Sequence, residues 1–399
     1  MPMKLAGRLD LIEPFYVMEF AKAASALAAS PACDPARGGE PMIFLNIGEP
    51  DFSAAPLVQQ AALACLREGR TQYTQATGLP ALRQRIAAWY GSQHGLDLDP
   101  GRIVVTAGAS AALQLLTTAL FEPGDEVLLP DPSYPCNRHF VSATGATPRL
   151  LPTSVAGRYQ LDAATVCAHW GPTTRGVLLA SPSNPTGTSI AHAEMAAIAQ
   201  AVRERGGVTI VDEIYLGLSY EAEFGHSALQ LQGGLGDEVI VVGSFSKYFG
   251  MTGWRLGWLV LPPDLVAPVE KLAQNLYICA SSIAQHAALA CFETASLAEY
   301  ERRRAEFKRR RDYIVPALRG LGLDVPVAPD GAFYAWFDCS RYNASSWDFC
   351  HDVMQRAHVA LTPGRDFGPA MAERFVRLSF ASAMPELEAA VARLRRLLG

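Results

Sequence analysis

Short apolar runs alternate along this chain with longer stretches whose apolar residues recur at helical spacing. The pattern predicts helices over 15–29, 56–68 and 79–94, the last opening at Pro80, a favourable first-turn residue. A strand is expected over 42–47 and an irregular stretch over 70–78. From residue 103 the alternation becomes regular. Strands are predicted at 103–106, 126–129, 147–151, 176–180, 208–211, 239–242 and 256–260, and helices at 111–120, 161–168 and 192–205. Residues 131–135 read as a loop, and Thr188 or Ser189 as a cap for the helix that follows. This is the pattern of a mostly parallel sheet with helices on both faces, an α/β fold.

Beyond Pro262 the pattern changes. Helical periodicity covers 265–295, 297–318, 347–357 and 386–398, with strands at 331–338 and 375–379. This reads as a smaller α+β domain. The expected division is an arm and part of the small domain over 1–50, a large domain over 51–285 and the remainder of the small domain over 286–399. Residues 1–10 read as a loose arm.

The 399 residues, half of them hydrophobic, allow a large core. A net charge of -5 with dispersed signs gives no basic block for nucleic acid, and the arginine-rich run 302–311 also carries acids. Eight scattered cysteines without a CxxC pair fit buried thiols in a reducing cytoplasm, and no metal site is expected. No apolar run reaches the ~18 residues of a membrane helix, and the N-terminus has no apolar signal region.

Candidate chemistry gathers just after strand ends, where open α/β sheets bind ligands. Ser244, Ser246, Lys247 and Arg255 follow one apolar run. Two hydroxyls and an arginine suit a phosphate, and a lysine amine can bond an aldehyde, so the group fits a phosphorylated aldehyde. Asp212 ends another strand and needs a partner if buried. A protonated pyridine nitrogen would serve, as would a helix cap or a core salt bridge. Tyr215 and Asn184 could reach the oxygen of such a ring, and Tyr134 could stack on it. Gly108, Ala109 and Ser110 open a helix whose N–H groups favour phosphate. Alternation in the strand around Arg377 puts it opposite Val376, Leu378 and Phe380. If those face the core, Arg377 faces a cleft and suits a carboxylate.

The motifs IGEPDF (47–52), YTQATGLPALR (73–83), VTAGASAAL (105–113) and DPSYP (131–135) occur in order. SPSNPTG (181–187), VDEIY (211–215), SFSKYFGMTGWRLGW (244–258), GAFY (331–334) and RLSF (377–380) follow. Together they resemble the fold-type I pyridoxal-phosphate enzymes, specifically class I/II aminotransferases of the bacterial aspartate, alanine and aromatic branch. The resemblance implies a large domain with a seven-stranded sheet, a smaller domain, and pyridoxal 5'-phosphate attached to Lys247. It implies that Asp212 pairs with the ring nitrogen, that Tyr215 and Asn184 hold the ring oxygen, and that Tyr134 stacks. Ser244, Ser246, Arg255 and the backbone at Gly108, Ala109 and Ser110 take the phosphate. Arg377 clamps the substrate carboxylate, helped by Asn184 and the backbone of Gly48. Tyr73 reaches the neighbouring subunit's cofactor, which implies a homodimer with shared sites. Pro185 follows a cis bond.

The expected reaction is ping-pong transfer of an amino group from an L-amino acid to 2-oxoglutarate or pyruvate. Some aspartate-preferring relatives carry a lysine where this chain has Ser110, so a neutral or aromatic donor is favoured, with Phe15, Tyr16, Tyr134 and the GAFY segment lining the pocket. Arg37 or Arg138 could restore a strict aspartate preference. The alternatives are β-elimination from a cystathionine-like substrate on the same scaffold and a non-catalytic regulatory module.

Overall fold

The computed structural model describes residues 3–399. In chain order the strands are β1 (Ile43–Phe44), β2 (Ile103–Thr106), β3 (Glu126–Asp131), β4 (Thr147–Pro152), β5 (Thr174–Ala180), β6 (Val208–Asp212), β7 (Ile240–Ser244) and β8 (Gly257–Val260). β9 (Tyr334–Asp338), β10 (Val359–Ala360), β11 (Thr362–Pro363) and β12 (Phe375–Ser379) lie beyond. β2 to β8 form one seven-stranded sheet in the order β2-β8-β7-β6-β5-β3-β4. It is parallel from β4 through β7, and β8 runs antiparallel to both its neighbours.

The inner strands are largely apolar runs because both faces are covered, whereas β4 at the sheet edge is only partly buried. Val105, Val177, Leu179, Val211 and Val241 pack into one core, while Val104, Leu178, Ile210 and Val242 pack into another. A smaller domain carries the antiparallel sheet β11-β12-β9, and β1 pairs with β10 in parallel. The large sheet and the separate small sheet are those of an α/β fold of the expected kind.

Several local expectations are corrected. The strand expected over 42–47 is hydrogen-bonded only at Ile43–Phe44, because its partner β10 is equally short. The stretch expected as helical over 265–295 breaks after Leu276, where Ile278 takes a φ of +66°. The helix after SPSNPTG begins at His192 with Ala191 as its N-cap, so neither Thr188 nor Ser189 caps it. The Ser189 hydroxyl and N–H go to the Asp330 carboxylate instead. A helix at Pro135–Thr144 fills a stretch left unassigned beyond the DPSYP loop. In the expected arm, residues 3–10 are exposed and a short 3-10 turn forms at Gly7–Leu11, while Met1 and Pro2 lie outside the described residues.

The arginine-rich run lies inside the Thr294–Gly320 helix. Its charges pair along that helix with Glu299 and Glu306, and Arg310 also reaches Asp51. Among the described residues no helix is long and apolar enough to cross a membrane.

Candidate active site

The carboxyl ends of β5, β6 and β7 lie side by side, so residues distant in sequence meet at one edge. β6 ends on Asp212, which is buried. Its Oδ1 accepts the Ile214 N–H at 3.1 Å. Burial raises its carboxyl to about 7, against the pull of that N–H and of the Lys247 charge. β7 ends on Ser244, whose Oγ accepts the Ser246 N–H at 3.0 Å. Lys247 follows, and its Nζ donates to the Gly48 carbonyl at 2.7 Å. Burial lowers the amine to about 8, and the Arg377 and Arg255 cations push the same way.

The chain then returns to β8 through Arg255, which adopts a left-handed φ of +52°. The Arg255 Nη1 donates to the Thr252 carbonyl at 3.0 Å. Its guanidinium rests against Gly108, the N-cap of the Ala109–Leu120 helix. Gly108 has a φ of +85°, and a Cβ there would stand 2.9 Å from Arg255 Nη2, so bare backbone is required.

β12 brings in Arg377 from the small domain. Its Nη1 donates to Asn184 Oδ1 at 3.0 Å, and its Nη2 to the Asn46 carbonyl at 2.6 Å. Its Nε is buried without a partner. Val376, Leu378 and Phe380 pack into the main core, so the alternation turns Arg377 toward the cleft as expected. The Arg377 guanidinium lies over the Tyr334 ring at 4.6 Å and near the Phe367 ring at 5.0 Å. The Tyr334 hydroxyl in turn meets the Tyr215 hydroxyl at 2.7 Å.

A cavity of about 460 Å³ unites these groups. Lys247, Asp212, Tyr215, Asn184, Tyr134, Ala109, Ser110, Ser244, Ser246, Arg255, Gly48 and Arg377 all line it. Gly108 is not among the lining residues but lies against the Arg255 guanidinium. Tyr73 does not line the cavity and is 78% exposed. The Asn184–Pro185 bond is cis.

Sequence reasoning missed Tyr334 as a site residue, taking the GAFY segment only as lining. Strand register brings it in: Arg377 pairs with Trp336, which places Tyr334 diagonally beside it. Asn46 and Thr362, which also hold Arg377, carried no signal in the sequence. Tyr16, expected in the pocket, turns instead toward Arg365 and Trp347. Val17, Met18 and Ala21 of the Tyr16–Ala28 helix take its place beside Phe15. Arg37 and Arg138 both lie outside the cavity, paired with Asp34 and Glu13.

Over residues 40–394 the chain matches the family described as aminotransferase class I and II. The chain belongs to that family. The protein is therefore an aminotransferase dependent on pyridoxal phosphate. It is 37% identical to a valine–pyruvate aminotransferase of Mycobacterium tuberculosis over 383 residues, 96% of each chain. The crystal structure of an aminotransferase from Mycobacterium tuberculosis superposes with a TM-score of 0.92 at 37% identity, covering 100% of this chain and 99% of that one. The aspartate aminotransferase of Thermus thermophilus with maleate gives 0.89 at 30% identity over 100% of both chains.

The residues of this aminotransferase fit the family's cofactor on their own chemistry. A buried carboxylate held by one backbone N–H calls for a further proton donor, which a pyridinium supplies. Opposite it, two serines, an arginine and a helix start converge as anion donors.

Proposed function

We propose that this aminotransferase exchanges the amino group between a neutral, apolar or aromatic L-amino acid and a 2-oxo acid, pyruvate before 2-oxoglutarate. One observation carries the reading. The cations lining the cavity are Lys247, Arg255 and Arg377 alone among the described residues, and the wall toward the N-terminal helix is Phe15, Val17, Met18, Ala21 and Ile47. One arginine serves a phosphate and one an α-carboxylate, which leaves none for a distal carboxylate. The similarity to a valine–pyruvate aminotransferase supports the same choice.

In this reading Ser244, Ser246, Arg255 and the N–H groups at Ala109 and Ser110 hold the phosphate. Asp212 keeps the ring nitrogen protonated, Tyr215 and Asn184 hold the ring oxygen, and Tyr134 covers one ring face. When bound, the cofactor's cationic ring accepts the electron pair left on the substrate α-carbon. Arg377 orients the substrate through its carboxylate, its guanidinium held in place by Asn184 and the Asn46 carbonyl. Lys247 would take the α-proton on Nζ and return it to the cofactor's C4′, two bonds from the α-carbon, so the same amine serves as base and acid. The apolar wall excludes water from that proton.

The test is a half-reaction screen that follows the cofactor absorbance while single amino acids are offered. Valine, alanine or an aromatic amino acid is expected to react at least about tenfold faster than aspartate, the factor one unpaired distal charge costs. Aspartate outrunning every neutral donor would overturn the proposal. Release of pyruvate and ammonia from a cystathionine-like substrate would favour the eliminase reading instead.

We propose further that the enzyme is a homodimer with shared sites. Tyr73 supports this, being exposed on its own chain and placed in no contact with its own cavity. A sedimentation mass of a single chain, 43.0 kDa, would refute it. We also propose a functional division near residues 50 and 285, with 51–285 gripping the cofactor and the flanking parts gripping the substrate.

A further inference from the structure

The Tyr16–Ala28 helix supplies part of the apolar wall, yet its own sequence does not finish its start. Its N-cap is Phe15, whose carbonyl takes the Met18 N–H at 2.9 Å but whose side chain offers no acceptor to the Tyr16 and Val17 N–H groups. The acceptor comes from far along the chain. Asp366 Oδ1 takes the Tyr16 N–H at 2.9 Å across 350 positions, and the Val17 N–H also bears on that carboxylate. Asp366 is 1% exposed and its Oδ2 is buried without a partner. Burial lifts its carboxyl to about 6, against the two N–H groups and the Arg377 and Arg138 charges. A carboxylate in so dry a place, with one oxygen idle, is poorly explained as general stabilisation.

The place of Asp366 in its turn gives it a use. The Gly364–Asp366 turn leads directly into Phe367, whose ring lies near the Arg377 guanidinium at 5.0 Å. Arg365, one residue earlier, lies over the Tyr16 ring at 4.6 Å. Consecutive residues therefore touch the carboxylate clamp at one end and the start of the wall helix at the other.

We propose that Asp366 is a positioning residue for substrate selection. It caps the wall helix in trans, and it thereby fixes the separation between Arg377 and the Val17, Met18 and Ala21 wall against which the substrate side chain packs. The inference rests on the neutral-donor reading given above. A donor with a branched side chain reaches the wall, whereas alanine does not, so loss of the cap acts on one and spares the other.

The experiment compares Asp366→Ala and Asp366→Asn. Asparagine keeps an acceptor oxygen for the Tyr16 N–H. The ratio of kcat/KM for valine to that for alanine is expected to fall about tenfold in the alanine variant and to stay within about twofold of wild type in the asparagine variant, the scale of one helix cap. Limited proteolysis within residues 3–28 should accelerate in the alanine variant alone. A second pair guards against misfolding at a buried site. Tyr16→Pro removes the N–H at a first-turn position that tolerates proline, while Tyr16→Ala removes only the ring. The proline variant should reproduce the fall in the ratio beyond that seen with alanine at position 16. An unchanged ratio, or an equal loss for both donors, would overturn the proposal. If wild type accepted no neutral or aromatic donor, the donor reading would fail, and the proteolysis rates would still decide the capping claim.

Discussion

Replacing Lys247 with alanine is expected to lower turnover by at least about 10⁴-fold, the upper range for loss of a positioned acid–base group. The other charged groups lining the cavity are engaged elsewhere, Glu49 as acceptor for the Thr252 hydroxyl. In the proposed arrangement Arg255 is committed to the phosphate, Arg377 to the substrate carboxylate and the Asp212 carboxylate to the far end of the ring. A half-reaction with valine in stopped flow gives the rate. Borohydride treatment followed by peptide mapping gives a second reading: the wild type should retain the cofactor on the SFSKY peptide and the variant should not. A variant keeping more than about a hundredth of the rate would remove Lys247 from the mechanism. The same amine sets a pH dependence in the cofactor-free protein. Burial lowers it from 10.5 to about 8, so its neutral, nucleophilic form grows as pH rises and predominates above that value. Capture of added cofactor should accelerate up to about pH 8 and then level off. A rate still climbing at pH 10 would mean that the amine is not desolvated as described.

Arg377→Ala is expected to cut kcat/KM by about 30-fold to several thousand-fold, most of it in KM. Truncating one partner of a buried, hydrogen-bonded charge costs about 2–5 kcal/mol. The guanidinium is held from three directions, by Asn184, by the Asn46 carbonyl and by the Tyr334 ring beneath it, so its fork is already oriented for a carboxylate. Arg377→Lys should rescue little, because an ammonium supplies neither the planar fork nor the stacking. Retention of the cofactor should be unaffected. Steady-state kinetics with the best donor, together with equilibrium dialysis of the cofactor, separates the two effects. An unchanged KM would contradict the clamp, and loss of cofactor would contradict the division of labour between the domains.

The central strands were legible because each is buried on both faces, and a continuous apolar run such as 103–106 has no other stable use in a chain this long. β2 and β12 begin and end where the residues predict. The Pro135–Thr144 helix was not legible. Its first turn is Pro135, Cys136, Asn137 and Arg138, of which only Arg138 is a strong helix former, so packing on neighbouring elements decides its placement. β10 and β11 are two residues each, too short to leave a period. In the site, Lys247, Asp212 and Arg255 stood out as charges beside apolar runs. Tyr334, Asn46 and Asp366 did not, because a tyrosine in an aromatic segment or an aspartate in a turn has many ordinary uses. What distinguishes them is a partner more than a hundred positions away, which only the folded chain reveals.

Lys247 and Arg255 sit on one excursion of the chain, and the Phe245 N–H closes its base by donating to the Leu256 carbonyl at 3.1 Å. Both strands feeding that excursion lie inside the seven-stranded sheet, whereas Arg377 belongs to a sheet of three. The two proposed grips on the prosthetic group thus share the fate of the seven-stranded sheet, and the proposed grip on the traffic passing through does not. Gentle warming or dilute denaturant should blunt discrimination among amino acids while the protein is still yellow.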